Sequence, residues 1–482
     1  MPPPRLLLPP GLRARFFAAA GLAAFCAGSM LRAQTAPAAD DSLLQPWVDY
    51  ALPAPGQPLP ASEEQLDQLL SVAATESPTM LEQADLIDQA DASRFRSWMR
   101  HLPVLTASYS VGVFYQASGT TGANSVTPGG ALTIQASQPI WHWGAFDAQT
   151  NLGILTEQIA QNEGLLEYSN LCLNVRKSYY SLILLKAQAD TDAHEVDSAQ
   201  HLRDRQRLLF SQGHGTVKDV NDAEVALNKL KISQDQATTD LSSQLNDFRR
   251  LTGSRTFTAD DLPDHVYLPV TEQTGLQSQY DDFQKTGLNQ SLIAREAELH
   301  EKSVDEQLTI SRANRKPLFD LGASVSQTPY INSSNNGLKF GTIFFVGVTG
   351  TWTLFDRGES VAEDNKLFAQ KRQIESTYAD TREQSLNDAA NSLNQIDLGL
   401  RKVAILKTQL AQQQDDYRHA QTLVGLGHAG QTELDAARDA LLDTRLELLT
   451  SQVDIADSYY SFLSDIYHDP ALANAPPFTQ PR

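Results

Sequence analysis

The sequence has little of several things, and each shortage narrows the reading. Only two of its 482 residues are cysteines, Cys26 and Cys172. Cys26 falls in the leader described below, so a mature chain keeps one thiol. That excludes an internal disulfide and a zinc site built on cysteines. Basic residues number 38 against 58 acidic ones, a net charge of −20. Phosphate contacts need clustered Lys and Arg, so no nucleic-acid partner is expected. The charge leaves two readings open: a solvated acidic surface, or an acidic interior that favours cations. There is no Gly-x-Ser-x-Gly elbow, no phosphate-binding glycine loop and no His-Glu-x-x-His. No enzyme chemistry, cofactor or metal is therefore expected. Acidic pairs such as Asp260-Asp261 and Asp281-Asp282 read as solvated charge, and Cys172 as packed rather than reactive. Past the leader, no stretch is apolar for the ~20 residues a membrane helix needs. If this chain spans a membrane, strands must do so.

The first 33 residues read as a signal peptide. Arg5, Arg13 and Arg15 form a basic start, and 16–27 is an apolar run. That run is too short to span a bilayer and fits a secretory h-region, with a cut after Ala33. Leu22-Ala23-Ala24-Phe25-Cys26 also resembles a lipoprotein box, and lipidation of Cys26 stays open.

Proline is scarce where length matters. Eleven of the 23 prolines lie in the first 60 residues, so 34–61 is expected to be an extended segment. None falls between Pro139 and Pro263, or between Pro329 and Pro470. Proline breaks helices, so these gaps are where long helices can run.

What is present is a repeat. Ser77 and Ser291, Pro103 and Pro317, Gly144 and Gly358, and Gly213 and Gly427 are each 214 residues apart. Such spacing implies two equivalent halves, 62–252 and 276–466, joined by a linker at 253–275 and followed by a tail at 467–482. Each half is expected to open with a helix, 62–101 or 276–314, ending before a proline.

Alternating runs follow. Leu105, Ala107, Tyr109, Val111, Val113 and Tyr115 share one parity; Thr106, Ser108, Ser110 and Gly112 share the other. The spacing predicts strands at 104–116, 130–141, 318–328 and 342–355, the last including Trp352 and Leu354. The loops 117–130 and 327–341 fit hairpin tips. An apolar face and a small polar face suit a barrel with lipid outside and water inside. A soluble sandwich fits the strand pattern equally well.

Long helices are predicted at 144–212 and 358–426, each about 100 Å at ~1.5 Å per residue. No compact globule needs that length. Return helices are predicted at 216–252 and 430–466. In the last, Leu434, Leu441, Leu448, Ile455 and Phe462 recur every seven residues, and Leu442, Leu449, Ala456 and Leu463 form a second row. Two seams fit contact with helices on both sides, as in a ring; an ordinary bundle core also fits.

In this order of elements the chain resembles the TolC-like outer-membrane efflux protein family, the outer membrane factors, over 62–466. Gln138-Pro139-Ile140-Trp141-His142-Trp143-Gly144 looks like the family's strand-to-helix junction, and Trp352-Thr353-Leu354-Phe355-Asp356-Arg357-Gly358 like its second-half form. Gly213-His214-Gly215-Thr216-Val217-Lys218-Asp219-Val220 and Leu426-Gly427-His428-Ala429-Gly430-Gln431-Thr432-Glu433-Leu434 look like its helical-hairpin tips. The resemblance implies an α+β membrane protein. Each protomer of a homotrimer would give four strands to a 12-stranded barrel, continued by a periplasmic coiled-coil tunnel. It implies an outer-membrane exit duct of a tripartite efflux or type I secretion system that does no bond chemistry. Its partners would be outer-membrane lipid, a periplasmic adaptor and an inner-membrane pump of RND, ABC or MFS type.

By the same resemblance Gln212, Gly213 and His214, with Leu426, Gly427 and His428, would dock adaptor hairpins. Glycine permits the tight reversal between helices, so both glycines also fit a purely structural role. The two histidines fit pH sensing, metal binding or plain polar contact. Glu433 matches a carboxylate ringing the closed mouth, and Asp219 a first-half tip carboxylate. Ala429 and Ala436 stand where the family pattern has charged residues. A second class of function stays open: a periplasmic coiled-coil scaffold or adaptor with a soluble β-domain.

Overall fold

Ser77 and Ser291, one of the repeated pairs, mark where each half's first helical stretch breaks. A computed structural model describes residues 61–116, 125–270, 273–331 and 338–475, all within one structural unit, Pro46–Arg482. The leader and nearly all of the extended N-terminal segment lie outside the described residues. The expected single helix over 62–101 is in fact two, α1 (Ala61–Glu76) and α2 (Pro78–Met99). Ser77 leaves the helical region with φ −61° and ψ 133°, and Pro78, lacking an N–H, starts the next helix. The stretch 276–314 divides likewise into α5 (Thr274–Lys285), a 3-10 turn (Gly287–Gln290) and α6 (Leu292–Ala313). Ser291 caps α6, its Oγ accepting from the Ala294 N–H at 3.3 Å.

Four strands follow the pattern of alternation: β1 (Val104–Gln116), β2 (Ser125–Trp141), β3 (Leu318–Ile331) and β4 (Leu338–Thr351). They form one antiparallel sheet in the order β1-β2-β3-β4. The register aligns Leu105, Ala136, Ala323 and Val346 in a row across it. β2 starts five residues before the expected 130, because Gly, Ser and Thr lower the apolar signal but not the backbone's ability to form ladder bonds. β4 ends at Thr351, so Trp352 and Leu354 lie past the strand; the chain there is already turning toward the next helix. Residues 117–124 and 332–337 of the two hairpin tips lie outside the described residues.

The long helices are α3 (Ala145–Ser211) and α7 (Glu359–Gly425), 67 residues each. They return as α4 (Val217–Thr252) and α8 (Gln431–Asp465). Near the sheet the neighbours run α2-α3-α6-α7; beyond the middle they run α4-α3-α8-α7. No described helix is long and apolar enough to cross a membrane.

The main core lies at the middle of the rods, around Tyr179, Tyr180, Phe248, Phe283 and Phe462. The linker contributes Phe257, Leu262 and Val266 to it, so it is a packed element rather than a bare connection. The start of the tail is packed too. Asp469 caps a 3-10 turn (Pro470–Asn474) and forms a buried two-point pair with Arg176, whose Nη2 donates to Oδ1 at 3.0 Å. Arg176 also stacks over Tyr460, 4.4 Å from the ring centre. Cys172 is buried here, and burial pushes its thiol up to about 11, which keeps it unreactive.

Candidate functional site

At each strand-to-helix junction two successive residues adopt left-handed backbone: Trp143 (φ 55°) with Gly144 (φ 82°), and Arg357 (φ 60°) with Gly358 (φ 88°). This pair turns a strand directly into a helix. The first helical bonds run from the Ala148 N–H to the Gly144 carbonyl (2.9 Å) and from Ala362 to Gly358 (3.0 Å). Positive φ at a bulky residue is unfavourable, and at Trp143 contacts offset it. Its indole donates to the Pro317 carbonyl at 2.7 Å, and the Lys316 ammonium sits 4.9 Å from its ring centre. Trp352 donates to the Arg315 carbonyl at 3.0 Å. Pro139 lies where the β2–β3 register shifts, a place in a sheet where a residue without N–H is tolerated.

The sheet presents an apolar surface that nothing among the described residues covers. Leu105 is 73% exposed and Val346 78%, with Tyr109, Val111, Phe344 and Val348 similarly open. Trp98, Trp141, Trp143, Trp352 and Phe355 cluster in sequence at the junction end of the strands and are also exposed. β1 and β4 each have one edge without a strand neighbour among the described residues. The rods are open as well. Val225 and Ile232 on α4, and Leu398 and Ile405 on α7, are exposed apolar pairs spaced seven apart.

The two helical tips are copies in backbone. The His214 N–H donates to Leu209 O at 2.9 Å, and the His428 N–H to Leu423 O at 2.9 Å. Gly213 (φ 78°) and Gly427 (φ 73°) take the left-handed turn position. Gln212, His214, Leu426 and His428 are all exposed. Among the described residues neither histidine belongs to a group of metal-competent side chains.

Beyond the glycines the tips diverge. Thr216 and Asp219 form a capping box: the Asp219 carboxylate accepts from the Thr216 N–H (2.9 Å) and Oγ (2.7 Å), and the Asp219 N–H donates back to Thr216 Oγ (3.2 Å). The hydrogen bonds from Thr216 hold Asp219 below the usual carboxylate range. The second tip has Gly430 in place of Thr216, which offers no side-chain cap. Glu433 is therefore left exposed without a capping bond.

Just above the second tip, α8 is fastened to α3. Asp435, only 3% exposed, lies 3.0 Å from His201 Nδ1 and accepts from Gln431 Nε2 at 3.1 Å. Arg205 bonds Thr432. Arg438 donates to Ser198 Oγ (2.9 Å) and His194 O (3.3 Å), and Ser198 donates to Asp439 at 2.8 Å. Glu195, Asp439 and Asp443 crowd this seam, and burial raises each carboxyl above its ordinary value. The sequence carries a signal for this position: Asp435 is seven residues before Leu442 and so heads that heptad row, a polar residue where a seam residue belongs.

The model of the family described as outer membrane efflux protein matches residues 69–254 and 288–461. The chain belongs to this outer membrane efflux protein family. No curated protein sequence matches it. Solved channels share its fold. The Campylobacter jejuni CmeC outer membrane channel is 13% identical, with a TM-score of 0.65, covering 89% of this chain and 95% of that one. VceC, an outer membrane protein of Vibrio cholerae, is 15% identical with a TM-score of 0.60 (84% and 96%). The open-state MtrE outer membrane channel of Neisseria gonorrhoeae is 14% identical with a TM-score of 0.58 (83% and 88%). As a family member, this protein is an outer-membrane efflux channel with its strands in the outer membrane and its rods in the periplasm. That excludes the soluble-scaffold alternative and decides between the two readings of the strand pattern: the uncovered apolar face is the lipid face.

Proposed function

We propose that three copies close into a single duct, a 12-stranded barrel over a tunnel of helical rods. The observation that carries this is the set of open edges. Among the described residues β1 and β4 leave unpaired strand edges, and α4 and α7 leave unpartnered seven-residue rows at the opposite sides of the rods. An open sheet edge is not tolerated in lipid, where each unpaired backbone group costs several kcal/mol, so the edges must meet those of other copies. Four strands from each of three copies give a closed barrel.

In this reading the duct carries substrates passively, handed over by an inner-membrane pump through a periplasmic adaptor. Gln212, Gly213 and His214, with Leu426, Gly427 and His428, are the docking tips. Their exposure and identical backbone turns support this role. Glu433 is the carboxylate that rings the closed mouth and favours cations. Asp219 holds its own helix start, so the second tip carries the gate. The α3–α8 bonds around Asp435 keep α8 closed against α3. Single-channel recording in planar bilayers tests the proposal: a cation-preferring trimeric pore is expected, and no conductance from purified trimer contradicts it.

A further inference from the structure

Glu163 on α3 and Glu296 and His300 on α6 bring two carboxylates and an imidazole together across the seam that joins the two repeats. One ligand atom from each lies within 4.8 Å of the others, and Glu296 Oε1 is 3.9 Å from His300 Nε2. Among the described residues no lysine or arginine pairs with either glutamate. On the same α3–α6 seam, Asn162 is 1% exposed and donates to Leu292 O at 3.1 Å, one turn before Glu296 in the chain; its Oδ1 has no partner among the described residues. Polar atoms left like this are rare in native interiors.

The repeat supplies an internal comparison. At the 214-residue offset, Glu163, Glu296 and His300 correspond to Thr377, Glu82 and Leu86. Two of the three donors are missing there, so the triad is not a by-product of duplication. We propose that Glu163, Glu296 and His300 bind a divalent cation of the zinc kind, pinning α3 of the first repeat to α6 of the second. Tetrahedral zinc with bonds near 2.0–2.2 Å sets its ligand atoms about 3.4 Å apart. Mixed carboxylate–imidazole donors favour zinc over calcium or magnesium, which take oxygen. Water completes the shell.

The test is zinc binding by full-length trimer, purified in detergent and stripped with chelator, measured by equilibrium dialysis and by the zinc-induced rise in unfolding temperature. Wild type should bind one Zn²⁺ per protomer that calcium does not displace. His300→Gln should abolish this site, and Glu163→Gln should weaken it at least tenfold. The His214→Gln/His428→Gln double variant should retain it, which separates this site from zinc held at the tips. If His300→Gln fails to assemble, Glu163→Gln carries the same comparison. Unchanged zinc affinity and stoichiometry in Glu163→Gln, or loss of the site in the tip double variant, overturns the proposal.

Discussion

His201 Nδ1 and Asp435 Oδ2 lie 3.0 Å apart across the α3–α8 seam, and Asp435 is buried there only two residues beyond the exposed Glu433. One short stretch of helix thus carries a carboxylate turned to the neighbouring rod and another left open to solvent. In the proposed duct, closure of the mouth and its charge are therefore separable by mutation.

Asp435→Ala removes the acceptor shared by His201 and Gln431. Each hydrogen bond lost contributes about 0.5–1.5 kcal/mol to holding the seam. Conductance of the purified trimer should rise several-fold as α8 loosens from α3. Wild-type conductance in this variant would show that the bonds do not hold the mouth.

Glu433→Gln keeps the size of the side chain and removes its charge. The cation-to-anion permeability ratio, read from reversal potentials in a salt gradient, should fall while conductance changes little. Unchanged selectivity would assign the acidic character of the lumen to other residues.

Gly427→Ala separates turning from docking. An added methyl meets nothing within 4 Å in the chain, so φ of 73° is the local obstacle. That costs about 1–2 kcal/mol, too little to prevent assembly. Trimer should form normally while adaptor capture, measured by co-purification, drops. Full capture would reduce the glycine to a turn residue.

Glu63 supplies a pH dependence. Burial and the like charge of Asp67 raise its carboxyl from 4.5 to about 7, against the pull of Arg176. The folded state holds this proton where the unfolded chain has lost it. Stability from this group is therefore full at pH 4.5 and below, and is lost as pH rises to about 7. Glu63→Gln should flatten that part of the profile and raise the unfolding temperature at pH 8, by thermal scanning of the trimer. An identical slope in wild type and variant would place the dependence elsewhere.

The features legible in the sequence were those with a long period or a hard backbone rule. Pro103, Gly144, Gly213 and their repeats mark strand starts and helix ends to within a residue or two, because glycine and proline constrain φ directly. The break at Ser77-Pro78 was also written there, but a single proline inside a polar helical stretch was outweighed by the helical pattern around it. The packing of Phe257 and Asp469 was not legible, since linker and tail have no periodicity to reveal a buried face. The α3–α8 bonds were hidden for another reason. His201 and Asp435 are far apart in sequence, and only the fold brings them together. Glu296 and His300 are four apart on one helix, but their third partner, Glu163, lies in the other repeat.

The central claim is that three chains close edge to edge into one outer-membrane duct. Native mass spectrometry of the protein extracted by detergent from the outer-membrane fraction tests this most directly. A single species of three chains that falls to one chain on heating is expected. A monomer recovered from the soluble periplasmic fraction would contradict it.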